Sequence, residues 1–253
     1  MAPVSSRFSA IPVLQVYPVA MVKSIPVLNR LLTGLPRRER VEFQHRCELV
    51  DLTFGSRLCE QDQLFQHIFF PLTAFISLVT AVNSHQPLEM GLIGSEGMLG
   101  ATLVLGVNTA PLDAMVSGAG TALRMRTTQL RKELSQSPAL LKILNRYVYV
   151  LITQLAQSAA CTHFHEVESR LARWLLMTHD RAHGDHFHLT HQYLADMLGV
   201  RRSGITVAAG ALQQRGLIHY TRGEIEILDR AGLELASCEC YEAAVQDYAR
   251  VLP

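Results

Sequence analysis

Arg201, Arg202, Ser203 and Thr206 cluster at one point of a segment, Leu189 to Ile218, that reads LTHQYLADMLGVRRSGITVAAGALQQRGLI. Guanidinium groups at the start of an exposed helix can bond guanine edges in two places, and hydroxyls can bond phosphate. The residues around them predict a helix-turn-helix. Thr190 suits an N-cap, and Leu194, Met197 and Leu198 supply the buried face of a first helix. Ala195 is small where a second helix must cross, Gly199 can turn the chain through a left-handed conformation, and Val200 anchors the turn. A second helix is expected from Arg202 to Arg215, with Ile205, Ala208, Ala209 and Leu212 inward and Gly216 ending it. Its outward face carries Arg202, Ser203, Thr206, Val207, Gly210 and Gln213, with Arg201 at the turn. A glycine inside a helix costs about 1 kcal/mol relative to alanine, so Gly210 implies either close approach of a phosphate backbone or tight helix packing. Alternation in Leu217–Tyr220 and Glu224–Leu228 around Thr221-Arg222-Gly223 predicts a β-hairpin wing with Arg222 at its tip, placed to touch phosphate. Thr190 and Gln192, at the mouth of the first helix, offer further phosphate contacts.

Other chemistry-bearing residues lead less far. His179, His183, His186, His188 and His191 form a histidine-rich run in which His179 and His183 are four apart, but no cysteine or second fixed pair completes a site. The five cysteines, Cys47, Cys59, Cys161, Cys238 and Cys240, are an odd set with no CxxC pair, so neither a disulfide framework nor a CxxC-type zinc site is expected. A metal-dependent jelly-roll oxygenase would need His-x-His ligands on a strand. His163-Phe164-His165 and His186-Phe187-His188 both lie outside the β-rich segment, one at the end of a long helix and one in a connector. His165-Glu166 lacks the following histidine of a zinc-protease helix, and there is no serine-centred nucleophile motif or phosphate-cradling glycine loop. Catalysis is not expected.

The elements that must position the arginines follow from texture. Between Val50 and Arg126, short apolar runs such as Ile68–Phe70, Phe75–Val82 and Met90–Ile93 alternate with turn residues, predicting seven or eight antiparallel strands in a sandwich, barrel or jelly roll. Ala139 to Cys161 has no Gly or Pro and predicts one long helix, with Leu140, Leu144, Tyr147 or Val148, Leu151 and Leu155 near a seven-residue rhythm. Tyr147 to Ile152 is apolar nearly all round, so two surfaces must cover it: its own β domain and the same helix of a second subunit, with Leu144, Tyr147, Val148, Leu151 and Leu155 at the dimer interface. An amphipathic helix, Glu166 to His179, opens the C-terminal domain. The expected division is a flexible tail 1–24, a β domain 25–136, a dimerisation helix 137–163 and a DNA-binding domain 164–253. Met21 is the expected natural start. The 253 residues carry a net charge of only +1, and from His165 onward nine arginines face twelve acids, so a DNA footprint must come from clustering. No run approaches the roughly 20 apolar residues of a membrane span, and a reducing cytoplasm fits the cysteines.

The stretch LADMLGVRRSGITVAAGALQQRGLI, with VESRLARWLLMTHD before it, DRAGLELASCECY after it, and HIFFPLTAFISLVT and GLIGSEGMLG in the β-rich part, resembles the Crp/Fnr superfamily across Val27 to Tyr241. The resemblance implies an α+β fold: an antiparallel β-roll of the double-stranded β-helix or jelly-roll kind, a dimerisation helix and a C-terminal winged helix-turn-helix. It implies a homodimeric transcription regulator on near-palindromic double-stranded DNA, with RNA polymerase as a further partner. Cyclic-AMP-binding members carry Gly-Glu-x-x-Leu and then Arg-Ser/Thr-Ala. Here Gly97, Met98 and Leu99 stand in the first place and Leu112 and Asp113 in the second, so these five mark the effector pocket without its charges. Cyclic AMP is therefore not expected to bind. No cysteine cluster precedes Cys47, so the iron-sulfur cluster of oxygen-sensing relatives is not expected either. Haem-binding relatives use a His or Cys from the roll, where His67, His85 or Cys59 stand, but a lone residue of that kind is more often structural. The cofactor stays unknown, and a metal-dependent jelly-roll enzyme or a haem- or metal-responsive sensor is the alternative reading.

Overall fold

A computed structural model describes residues 28–80, 87–182 and 184–252 of the chain. The expected tail 1–24 and start at Met21, together with His85 and His183, lie outside the described residues. Two short helices, α1 (Arg30–Thr33) and α2 (Arg37–His45), lead into seven strands: β1 (Glu48–Leu52), β2 (Arg57–Cys59), β3 (His67–Pro71), β4 (Phe75–Thr80), β5 (Leu88–Ile93), β6 (Asp113–Gly118) and β7 (Gly120–Arg126). All pair antiparallel, in two sheets ordered β1-β7-β3 and β2-β6-β4-β5. Ile68, Phe70, Ile76, Ile93, Met98 and Leu123 fill the space between them, and this double sheet is the expected roll. Asn29 is wholly buried and fully used. It accepts from Leu32 N–H and donates to the carbonyls of Pro71 and Gly97, both at 2.9 Å, tying the first helix to the roll.

Helix α3 (Thr127–Gln136) turns into α4 (Pro138–Phe164), capped by the Ser137 side chain and opened by a proline where none of its missing donors is needed. The buried residues of α4 are Leu140, Ile143, Leu144, Tyr147, Val150, Gln154, Ser158 and Cys161, a repeat of three and four that lies on one side. The structure corrects part of the expected interface. Leu144 and Tyr147 are 0% exposed, packed into the chain's own roll, because the seven-residue rhythm mixes two faces of one helix. The outward face instead carries Leu141, Val148, Ile152 and Leu155, with Ile152 58% exposed. Val148 and Leu151 lie half-buried along the edge of the roll core. Among the described residues, no helix is long and apolar enough to cross a membrane.

Beyond a break at His165 and Glu166 come α5 (Val167–His179), β8 (His186–His188), α6 (His191–Leu198), α7 (Arg202–Gln214), β9 (Ile218–Thr221), β10 (Glu224–Ile227), α8 (Arg230–Ala236) and α9 (Cys240–Val251). His186-Phe187-His188 is not a connector. It pairs with β10 as the third strand of the wing, in the order β8-β10-β9, and its period of two puts Phe187 in the core and both histidines outward. His179 meets Asp185, and His186 and His188 meet Glu226 and Glu224.

The C-terminal half rests on the roll. Phe75, Val79 and Leu92 share one core with Trp174, Tyr193 and Leu194, and α9 lies along α4 with the Gln154 amide donating to Tyr248 Oη at 2.6 Å. At the centre of this contact Glu89, on β5, accepts from Ser77 Oγ at 2.5 Å and from Trp174 Nε1 at 2.9 Å. Burial pushes its carboxyl up to about 7, although those two hydrogen bonds and the guanidiniums of Arg173 and Arg181 pull the other way. The folded chain thus keeps a proton that the unfolded chain, near 4.5, gives up first. The stability this brings is present at low pH and is lost as pH rises through about 7. Glu89→Gln keeps a donor and an acceptor at the site without the titration. Its melting temperature relative to the parent should therefore climb between about pH 5 and pH 8; a flat difference would mean that Glu89 does not titrate there.

Candidate nucleic-acid interface

The helix-turn-helix is built by three local devices. Thr190 Oγ1 accepts from Tyr193 N–H at 3.1 Å and starts α6. Gly199, at φ 63°, ends it, and Val200 N–H bonds back to Ala195 C=O at 2.9 Å in a Schellman-type closure. Gly216, at φ 70°, ends α7 in the same way, with Leu217 N–H on Leu212 C=O. Ile205, Ala208, Ala209 and Leu212 are buried against α5 and α6, as their spacing predicts. Arg170 on α5 adds a bond to the Leu198 carbonyl, bracing the turn from behind.

What remains outward on α7 is the set expected from the residues. Arg201, Arg202, Ser203, Thr206 and Val207 are exposed, Val207 at 73%. Gly210 is exposed too, and a Cβ built on it meets nothing within 4 Å, so tight helix packing does not explain this glycine. Gln213 differs from expectation: its side chain accepts from Tyr220 N–H at 2.6 Å and braces the wing. Thr190, Gln192, Arg202, Arg222 and Gly223 converge with His191 and Tyr220 around an open groove of about 540 Å³ between the mouth of α6, the start of α7 and the wing.

His191 and Tyr220 are the two members of this groove that sequence reasoning missed. Their rings stack with centroids 4.2 Å apart at 13°, and His191 Nδ1 lies 3.0 Å from Thr206 Oγ1. Burial first, and then the neighbouring Arg202 charge, hold the imidazole below its ordinary range. The stack joins α6, α7 and β9 in one rigid surface. A histidine at the first position of α6 carries no sign in sequence that it will stack on a wing tyrosine.

Charge is organised by subtraction. Arg215 pairs with Glu168, Arg230 with Asp180, Arg181 with Glu96 and Arg250 with Asp247. Arg201, Arg202 and Arg222 carry no such partner among the described residues, so their charges face solvent together. The first turn of α7 adds to them. Its N-cap, Arg201, makes no side-chain cap bond, leaving open backbone N–H groups at the positive end of the helix.

The five residues expected at the effector pocket are placed differently. Met98 and Leu99 are buried in the roll core, and a Cβ on Gly97 would run into the Tyr147 ring. Asp113 pairs with Val79 on β4 and accepts from Gln61 N–H at 2.7 Å, while Gly97 bonds Gly94 and Asn29. The two halves are thus committed to different neighbours. Cys59 and His67 stand on different sheets, β2 and β3. Burial pushes the Cys59 thiol up to about 11, and His67 is held down by partial burial and by Arg124 and Arg126. A second cavity, about 500 Å³, opens between the roll and α9, lined by Arg30, Glu96, Asp180, Arg181, Arg230 and Tyr248 among others.

Residues 169–236 match the Crp-like helix-turn-helix domain family. No curated protein matches the chain significantly. Among solved structures, the chain is similar to a protein described as a Crp/Fnr-family transcriptional regulator from Eubacterium rectale, with 14% identity, 81% of this chain and 96% of that one covered, and a TM-score of 0.64. It is similar to FixK2 from Bradyrhizobium japonicum, with 12% identity, 76% and 98% coverage and a TM-score of 0.64. It is also similar to the c-di-GMP-responsive regulator CLP of Xanthomonas campestris, with 16% identity, 76% and 99% coverage and a TM-score of 0.62. At these identities the likeness is one of fold, and it covers 76–81% of the chain.

The wing tip yields a test. Arg222 and Gly223 form a two-residue hairpin loop with φ 49° and 89°, the left-handed pair of a type I′ turn. Arginine is a poor choice there, at a cost of about 1–2 kcal/mol in conformation alone. Arg222→Asn should raise the melting temperature while weakening binding to all DNA sequences alike and lowering the salt slope by about 1. A variant that gains stability and keeps full affinity would remove Arg222 from the interface.

Proposed function

From the premise that the chain is a DNA-binding transcription regulator, with a Crp-like helix-turn-helix on the Crp/Fnr fold, we propose that it acts as a sequence-specific homodimer on a near-palindromic site. The observation that carries this is the set of unpaired arginines at the open N-terminus of α7, beside the wing. Arg201 and Arg202 read base edges in the major groove. Ser203, Thr206, Thr190 and Gln192 bond phosphate or adjacent edges, and Arg222 holds the neighbouring backbone. Thr190 contributes chiefly by its backbone, because its hydroxyl caps α6.

The outward stripe of α4, Leu141, Val148, Ile152 and Leu155, is the seam of the dimer in this reading, and Leu151 flanks it. Two copies joined there set two recognition helices about one turn of DNA apart. The chain divides into a sensor roll up to residue 136, the helix 137–163 and the DNA-binding domain beyond, working in the cytoplasm with RNA polymerase as downstream partner. A ligand of the roll, if the protein takes one, shifts the dimer only by its differential affinity for the two arrangements. The filled core around Met98 and Leu99 favours a roll without cyclic AMP.

Selection of bound sequences from a random DNA pool, with the full-length protein and no added ligand, should recover an inverted repeat with half-sites about 10–10.5 base pairs apart. Arg202→Ala should cost about 1–3 kcal/mol on that site and relax choice at one base position; equal loss on random DNA would reassign Arg202 to phosphate. Ile152→Glu should turn the dimer into a monomer in sedimentation while leaving the melting of the single chain almost unchanged. A dimer that persists would place the seam elsewhere.

A further inference from the structure

Three cysteines and a histidine, two from the end of α4 and two from the corner between α8 and α9, meet at one point. Cys161 lies in the last turns of α4 and His165 caps that helix, so the two share a face. Cys238 and Cys240 flank the corner between α8 and α9. Cys161 Sγ is 3.6 Å from Cys238 Sγ, Cys240 Sγ is 3.5 Å from His165 Nδ1, and all four atoms lie within 4.8 Å of one another. We propose that these four residues form a closed Cys₃His site for a thiophilic divalent cation, with zinc as the ion it fits, clipping the end of α4 to the corner before α9.

The geometry argues for an ion over its rivals. Four ligands at the corners of a tetrahedron with metal–sulfur bonds of about 2.3 Å stand about 3.8 Å apart. A disulfide would hold two sulfurs about 2.05 Å apart and would leave the third thiol and the imidazole unexplained. The thiols are 1%, 6% and 0% exposed, so they are withdrawn from solvent before any ion arrives. The surroundings also have the form of an outer shell. With Nδ1 turned to the sulfurs, His165 Nε2–H donates to Glu239 at 3.1 Å, the carboxylate–histidine arrangement that orients a ligating imidazole. The Gln157 amide donates to Cys240 Sγ at 2.8 Å. Zinc with three thiolates carries net charge −1, and the guanidiniums of Arg170 and Arg173 act electrostatically on Cys161 from beside the cluster. Binding replaces the three thiol protons with one cation and releases them to solvent.

The position gives the site a structural consequence. It spans the break at His165 and Glu166, the only link in sequence between the long helix and the DNA-binding domain, and closes a second link across it. Arg170, four residues past Glu166, reaches the Leu198 carbonyl at the helix-turn-helix turn, so the clip stands one residue layer behind the recognition unit.

The test uses the untagged full-length chain, purified without chelator under a thiol reductant. Elemental analysis should find one zinc per chain, and replacement by cobalt should give the ligand-field bands of a tetrahedral ion with thiolate-to-metal charge transfer, lost on adding zinc. Cys161→Ser and Cys240→Ser should each abolish stoichiometric binding. Glu239→Gln, outside the coordination sphere, should weaken it by about 10–100-fold without unfolding the chain. Failure of the reduced parent to bind either ion overturns the proposal, as does a cobalt spectrum without thiolate character. A Cys161–Cys238 disulfide in the protein as isolated, with no metal bound after reduction, would assign the cluster to thiol chemistry instead. Binding that survives both cysteine variants would place the ion elsewhere, with the wing histidines the next candidates.

Discussion

Tyr147 lying on Gly97 is the contact on which the architecture turns. The tyrosine is wholly buried at the middle of α4, and the ring occupies the place that a side chain at position 97 would take. The ring fits against the backbone at Gly97 only because no Cβ stands there, and cores this dense tolerate little drift. That contact decides which side of α4 belongs to the roll. The outward face and the direction in which the C-terminal turns point then follow, since a helix presents its remaining faces at fixed angles to the one that is held.

Downstream of that seat, α4 delivers Cys161 and His165 to the corner of α8 and α9, and α9 returns along α4 to meet the roll again. The DNA-binding domain is therefore held at several places: through Trp174 on Glu89, through Tyr193 and Leu194 on the outer face of β4 and β5, and through α9. These contacts combine apolar area with one buried carboxylate whose charge state is poised near neutrality. A junction of this composition is firm at a given pH and yet has a small number of groups by which its firmness can change.

The winged domain solves an electrostatic problem set by its own acid excess. Four of its nine arginines are matched with carboxylates, while Arg201, Arg202 and Arg222 are left facing solvent at one helix N-terminus and one hairpin tip. Local field, not total charge, is what a phosphate backbone meets at close range under physiological screening. The stacked His191 and Tyr220 keep that surface flat and stiff without adding charge.

From residues alone, the helix-turn-helix was legible almost to the residue. Its devices are local: Thr190 caps, Gly199 and Gly216 turn, Ile205 to Leu212 repeat at helical spacing, and each acts within five positions of itself. The strands of the roll and the long helix were legible for the same reason. What the tertiary structure alone decided were matters of which face and which neighbour. Leu144 and Tyr147 look like any apolar pair in a seven-residue rhythm until the roll claims them. His186-Phe187-His188 gains its role as a strand only from β10. Glycine at 97 looks like part of a ligand site until a tyrosine fifty residues on covers it. Cys161 and His165 meet Cys238 and Cys240 only because α8 and α9 fold back, since nothing in the spacing of distant residues encodes their approach. Short-range geometry is written in the chain, whereas long-range contact is a property of the packing that all the short-range pieces reach together.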